Sequence, residues 1–315
     1  MIKNEFTYLS SNKKTNIHAI ECIPENNKFT RVLQIITGMC EYIERYLPFI
    51  EFLTGKGFVV VGNDHLGHGQ SINNDDDLGY FGEPDPSDLV LKDIHTLRIN
   101  TQKKYPNLPY FILGHSMGSY IIRQYVCIYR KGLAGIIISG TGYLSPCTTL
   151  MALGFLNVMC CIKGMKHRSK LIKKMTMESG PYKKYDHENK DIYNSWISRD
   201  PEIVKKYYTD KKCQYVFTIN GFYGLINFVR YSCDPSNVAK MNKDIPILFI
   251  SGENDPVGDN GEGVKKAYEI MKLVGSVDVT MKIFEGCRHE LLNELNKYEV
   301  YEYILNWLDE KTPSK

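Results

Sequence analysis

The sequence predicts an α/β fold: a mostly parallel central sheet flanked by helices, with a mainly helical segment inserted in it. Three observations lead there. Short apolar runs at residues 31–36, 58–61, 110–113, 135–138 and 247–250 alternate with helical patterns. Strands buried on both faces look like this, and helix-length connections mean parallel pairing. The run at 110–113 leads directly into Gly114-His115-Ser116-Met117-Gly118 and a helical pattern, giving a strand, a sharp turn and a helix. Finally, the rhythm stops near Gly142 and resumes only after Ser232. Residues 1–141 and 233–315 therefore read as one α/β core, and 142–232 as a helical cap (lid) inserted in it. A chain of 315 residues, 43% hydrophobic and 24% charged, has the means to bury a core of that size.

In order, residues 6–9 and 17–20 alternate around a turn-rich stretch and predict an antiparallel hairpin. The strand at 31–36 stops at Thr37-Gly38-Met39, and a helix is expected from about Tyr42 to Leu53, ended by Gly55 and Gly57. The strand at 58–61 runs into a loop rich in Gly, Asn and Asp. Ser87 is the expected cap of a helix reaching about Lys104, with Asp88 placing negative charge in its first turn. After Ser116 a helix begins near Ser119. Beyond the insertion come strands at 247–250 and 279–284, a helix at about 263–274 and a final helix at about 291–308.

A net charge of +3 with no dense basic block argues against nucleic-acid binding. Nine cysteines without a Cys-x-x-Cys or a regular framework fit a reduced, cytoplasmic protein. The first residues carry no apolar signal core. The apolar run at 150–162 is short for a membrane span, and Asn157 interrupts it. Lys163, Lys166, His167, Arg168, Lys170, Lys173 and Lys174 follow it. That combination has two readings: a packed cap helix with a solvated basic flank, or a helix resting transiently on an anionic bilayer, peripheral to the membrane. Trp196, Tyr193, Tyr207, Tyr208, Phe217, Phe222 and Tyr223 supply aromatic material for cap packing and for an apolar substrate pocket.

The glycines two residues either side of Ser116 allow a strained turn that lifts a serine above the sheet edge, at a helix N-terminus that favours negative charge. A serine nucleophile needs a base in contact and a carboxylate behind that base. Loops after two later strands offer both, in the order serine, acid, histidine: Asp255, with Glu253 as competing acid, and then His289. Of eight histidines only His289 lies beyond the acid loop; His18 is in the hairpin, His95 on a helix, His167 and His187 in the insertion, and His115 beside Ser116. A tetrahedral intermediate needs two backbone donors: the Met117 amide, just after the nucleophile, and one from the turn Thr37-Gly38-Met39. His65-x-x-His68 with Asp64 has no third ligand at metal spacing, so no metal is expected. The stretch 258–263 lacks the Lys-Ser/Thr of a phosphate loop and reads as a lead-in to a helix. The chemistry requires no cofactor.

With these residues in hand the chain resembles the α/β-hydrolases, and within them the monoacylglycerol lipase and lysophospholipase branch, sometimes grouped with serine aminopeptidases. The resemblance rests on Asp64-His-Leu-Gly-His-Gly-Gln-Ser71, on Gly114-His-Ser-Met-Gly118, on the loops around Asp255 and His289, and on Trp196-Ile-Ser-Arg-Asp-Pro201 with Asp210 and Cys213. It implies that the amides of Met39 and Met117 form the oxyanion hole, and that the substrate is a single-chain lipid ester. Glu41, Arg45 and Tyr46 match the family, but Thr37 stands where it usually has histidine, and Tyr42 replaces another. An aminopeptidase or a short-chain carboxylesterase on the same triad is the nearest alternative. A non-catalytic receptor on this fold would be expected to lack a triad member, and a dehalogenase would carry aspartate at position 116.

Overall fold

Eight strands form one sheet in the order β1-β2-β4-β3-β5-β6-β7-β8. They are β1 (Ile2–Leu9), β2 (Asn16–Ile23), β3 (Arg31–Ile36), β4 (Phe58–Asn63), β5 (Tyr110–His115), β6 (Gly135–Ser139), β7 (Ile247–Gly252) and β8 (Val279–Phe284). The computed structural model describes residues 1–177, 180–185 and 193–312; His187 and the Lys173 side chain lie outside the described residues. The expected hairpin forms as β1 and β2, which pair antiparallel; β2 also meets β4 antiparallel, and every later pairing is parallel.

The strands look continuously apolar because alternate residues serve two cores. Val32, Val59, Val61, Ile112, Ile136, Ile138 and Phe249 face one side. There they pack on α2 (Pro86–Lys104), α3 (Met117–Ile128) and α9 (Glu262–Leu273). Leu33, Ile35, Val60, Phe111, Leu113, Ile137 and Leu248 face the other, against α1 (Leu47–Gly55) and α10 (Lys297–Glu310).

Away from the Ser116 turn, three helix boundaries depart from expectation. The first helix opens with a 3-10 turn, Ile43–Tyr46, before α1. The cap of α2 is Asp85 rather than Ser87: its carboxylate accepts from the amides of Ser87 and Asp88, with Pro86 in the first turn. The final helix is split into a 3-10 turn, Leu291–Asn293, and α10. Between them the Glu294 carboxylate turns inward to accept from the amides of Arg288 and Leu295 and from Arg199 Nε. A continuous helix would point that charge elsewhere.

Between β6 and β7 lie α4 (Pro146–Lys163), α5 (Lys170–Met177), a 3-10 turn (Gly180–Tyr185), α6 (Pro201–Thr209), α7 (Ile219–Ser232) and α8 (Pro235–Val238). Among the described residues this segment adds no strand to the sheet, only an isolated bridge between Arg168 and Thr218. Arg123 of α3, fully buried, holds both of its ends. One guanidinium nitrogen donates to the Gly142 carbonyl at 3.1 Å and to Thr141 Oγ1 at 3.1 Å, the other to the Ser232 carbonyl at 2.7 Å. Arg123→Met would bury those carbonyls without donors, at about 1–3 kcal/mol each. We expect a fall of about 3 kcal/mol in unfolding free energy, measured by urea titration, with Arg123→Lys between the two because a point charge cannot fork.

Candidate active site

The carboxyl ends of β3, β5, β7 and β8 meet at one sheet edge, and the residues singled out in the sequence follow those ends. Ser116 takes φ 53° and ψ −119°, the strained conformation of an elbow. A side chain at Gly114 would strike the Gly118 carbonyl, and one at Gly118 would strike that of Ile36. The Ser116 amide continues the ladder by donating to the Ser139 carbonyl at 2.9 Å. Its hydroxyl makes no capping bond to α3, which begins at Met117, two residues earlier than expected.

Asp255 is wholly buried. Its Oδ1 accepts from His289 Nδ1 at 2.9 Å and from the Val257 amide at 2.9 Å, while Oδ2 accepts from the Ser251 hydroxyl at 3.2 Å. Glu253 is used elsewhere, accepting from the Gly286 amide at 2.8 Å. With Nδ1 donating, His289 leaves Nε2 as the acceptor, and that atom is buried without a hydrogen-bond partner among the described residues. The imidazole lies between Trp196 and His115, at ring-centroid distances of 5.0 Å and 4.7 Å. His289 and Ser116 line one cavity of about 360 Å³.

The turn Thr37-Gly38-Met39 borders the same cavity. A Cβ on Gly38 would come within 2.5 Å of Glu41 Oε2 and 3.0 Å of Ser116 Cβ, so a side chain there would have to displace the Glu41 carboxylate. The amides of Met39 and Met117 donate to no backbone or side-chain acceptor among the described residues. Thr37 gives the turn no side-chain support, since its hydroxyl is buried and without a partner among the described residues. Support comes instead from Glu41 Oε2, which accepts from the Gly38 amide at 2.6 Å and the Tyr46 hydroxyl at 2.9 Å.

The same oxygen meets His115 Nδ1 at 3.1 Å, and the other ring nitrogen of His115 reaches the His289 carbonyl at 3.3 Å. Burial opposes charge on Glu41, but His115, Arg45 and Tyr46 outweigh it and hold the carboxyl well below its usual range. Burial likewise lowers His115, and Glu41 more than offsets it, leaving the imidazole raised. Arg45 in turn grips Glu290 with one nitrogen 2.6 Å from both carboxylate oxygens. Position 115 thus belongs to the site, although its place beside Ser116 on a sharp turn suggested otherwise. The readable signal was Glu41 and Arg45 together, two charges in a loop that follows a buried strand.

Of the seven aromatics singled out, Trp196, Tyr207 and Phe222 line the cavity, with Tyr120, Leu225 and Ile226. Tyr193 and Tyr208 stack on each other at 5.2 Å, and Phe217 and Tyr223 pack into the core. His65 and His68 sit 5.7 Å apart by ring centroid, and among the described residues no three His, Cys, Asp or Glu side chains gather as a metal site would require. Residues 258–263 lead into α9, as expected.

Burial lowers the pKa of His65 to about 4 and of His68 to about 3. Both stay neutral in the folded chain where an unfolded histidine, near 6.5, would bind a proton. Their contribution is complete above about pH 6.5 and lost as pH falls toward 4, at about 1.4 kcal/mol per proton per pH unit. His18, raised by its hydrogen bond to Asp64, and His115 act oppositely: their contribution is complete below the unfolded value and lost as pH rises through the folded one. Urea unfolding should therefore show a stability maximum near pH 6.5, with a loss of about 3–5 kcal/mol by pH 4.5. A profile that keeps rising from pH 8 down to 4.5 would contradict the burial of these rings.

Comparison with known proteins places the chain in a family and a fold. The family model described as serine aminopeptidase, S33, matches residues 27–296. Human monoglyceride lipase is 27% identical over 278 residues, covering 87% of this chain and 81% of its own. The monoacylglycerol lipase of Mycolicibacterium smegmatis is 25% identical, covering 88% of this chain and 87% of its own. A thermostable carboxyl esterase from Bacillus coagulans, solved with glycerol, superposes with a TM-score of 0.89 at 31% identity, over 98% of this chain and 99% of its own. The fold is that of the α/β-hydrolases, and the chain belongs to the serine aminopeptidase S33 family of hydrolases.

Proposed function

We propose that the protein is a serine ester hydrolase acting through an acyl-enzyme. The observation that carries this reading is the pairing of His289 Nδ1 with buried Asp255, which leaves Nε2 as an unpartnered acceptor in the cavity that Ser116 lines. His289 takes the Ser116 proton as Oγ adds to the ester carbonyl. The carbonyl oxygen becomes an oxyanion held by the Met39 and Met117 amides. His289⁺ then protonates the leaving alcohol. Water adds to the acyl-enzyme by the same route, its proton going to His289, and the acid leaves as Ser116 regains a proton.

The substrate we propose is a single-chain lipid ester, a monoacylglycerol or lysophospholipid. The apolar cavity lining and a volume of about 360 Å³, at the small end of small-molecule sites, support one chain rather than two. An aminopeptidase would need an anionic group for its substrate's ammonium. The two glutamates lining the cavity are already engaged, Glu41 by Gly38, Tyr46 and His115, and Glu290 by Arg45. Hydrolysis of monoacylglycerols, lysophospholipids, short esters and amino-acid amides, with Ser116→Ala as blank, tests the assignment. Faster turnover of the amides would overturn it.

Residues 142–232 act in this reading as a cap over the cavity, with α4 as its outer face. Among the described residues α4 is the one helix long and apolar enough to cross a membrane, by length and composition. Thr149, Leu153 and Leu156 are its buried residues, while Leu150, Met151, Val158 and Ile162 are more than half exposed. Lys163 ends the helix, and Lys166 and Lys170 follow it. We expect transient docking on anionic membranes, read as cosedimentation with phosphatidylglycerol vesicles that Met151→Glu/Val158→Glu abolishes without loss of activity on a soluble short ester. Equal sedimentation of that double variant would exclude α4 as the docking face. Nine cysteines with no disulfide among the described residues support a reducing, cytoplasmic setting.

A further inference from the structure

The peptide unit joining Thr37 to Gly38 is held by a side chain at each end. Its N–H donates to Glu41 Oε2, and its carbonyl oxygen lies 3.1 Å from His65 Nε2. A carbonyl only accepts, so Nε2 carries the proton and His65 is the Nε2–H tautomer. Burial keeps the ring neutral at physiological pH, with its pKa lowered to about 4. The other ring nitrogen, Nδ1, is buried without a partner among the described residues, so no competing bond sets the tautomer.

The next amide along the chain is that of Met39. Gly38 restrains its own torsions less than any other residue would, so the direction of that amide depends on what holds the preceding peptide. Thr37 Oγ1 has no partner among the described residues and cannot do it. His65 can, because its own loop is fixed. Asp64, one residue before it, accepts from the amides of Ile43 and Gln70 at 2.8 Å each, and the His65 carbonyl accepts from the His68 amide at 2.8 Å.

We infer that His65 is a positioning residue of the oxyanion turn: its Nε2–H fixes the Thr37 carbonyl and so aims the Met39 amide at the oxyanion. This rests on the proposed Ser116 mechanism. His65→Leu removes the donor at similar bulk, and His65→Gln keeps an N–H donor. A long-chain trifluoromethyl ketone reports on the oxyanion: Ser116 Oγ adds to its carbonyl carbon, the proton passes to His289, and the ketone oxygen becomes the anion. The corresponding long-chain alcohol reports on the cavity alone.

For His65→Leu we expect kcat to fall by about 10- to 100-fold, as for a misaimed catalytic group. KM should change less than about twofold, and the trifluoromethyl ketone should lose affinity by the factor lost in kcat while the alcohol binds as before. His65→Gln should recover most of the loss. A folded His65→Leu variant with wild-type kcat, or one that loses affinity equally for alcohol and ketone, overturns the inference. So does a Gln variant no better than Leu. Ser116→Ala, assayed alongside, separates the two levels: if it stays active the mechanism fails, and if it is inactive while His65→Leu is unimpaired only the inference fails. Should His65→Leu not fold, ¹⁵N spectra of the wild-type imidazole decide: a neutral Nε2–H ring at pH 7 supports the assignment, and an Nδ1–H tautomer or an imidazolium refutes it.

Discussion

Ser116→Ala should lower ester turnover by about a millionfold, to the residual level that binding and the oxyanion donors sustain without a nucleophile. The size of the effect follows from how the three groups depend on one another. In the proposed mechanism Asp255 orients His289, and His289 has value only if there is a proton to take from Oγ, so removing Oγ leaves the other two without a task. The variant should also lose all labelling by a fluorophosphonate probe. Stability should barely change. The hydroxyl makes no capping bond to α3, and alanine at φ 53° is strained as serine is. Thermal unfolding within about 2 °C of wild type, together with lost turnover, separates chemistry from folding. Turnover above about one per cent of wild type would mean that another group attacks the ester.

The sheet was legible in the sequence because strands buried on both faces must be apolar at successive positions, and residues 32–36 and 58–61 can hardly do anything else. Helix ends were less legible. Asp85 and Ser87 are both good caps in principle, and Pro86 between them decides in favour of Asp85, because proline fits the first helical position. The break at Glu294 has no local signal, since the reason for it is Arg199, distant in sequence and close in space. The candidate site divides in the same way. Ser116, Asp255 and His289 announce themselves through strand ends and chain order. The choice between Asp255 and Glu253 turns on which carboxylate faces inward, and two residues on a tight loop look alike from composition. His115 and His65 were hardest to read, because each acts on a backbone carbonyl that leaves no mark in the sequence. The absent histidine at Thr37 is a case in point. The turn depends on a backbone carbonyl and an amide, so a changed side chain leaves the grip of Glu41 and His65 in place.

The second large effect is expected at Asp255, and its form depends on which substitution is made. Asp255→Ala removes the acceptor for His289 Nδ1, the partner of the Val257 amide and, in the proposed mechanism, the charge that stabilises the imidazolium. A loss of about 10⁴-fold in kcat is expected, as for the acid of other triads. Asparagine commonly does comparable damage in such sites, because its NH₂ can face the histidine and force the proton onto the wrong nitrogen. Here the surroundings oppose that orientation. Oδ1 accepts from both His289 Nδ1 and the Val257 amide, so an NH₂ in that position would meet a backbone N–H head on. Among the described residues the Oδ2 position is hydrogen-bonded by the Ser251 hydroxyl alone, which can turn to accept from an NH₂. Asp255→Asn should therefore keep the imidazole in its working tautomer and lose the charge alone, leaving it at least about tenfold more active than Asp255→Ala. Equal activity in the two variants would show that the carboxylate acts almost entirely through its charge. An asparagine variant weaker than alanine would show that the Val257 amide does not control which way the side chain faces.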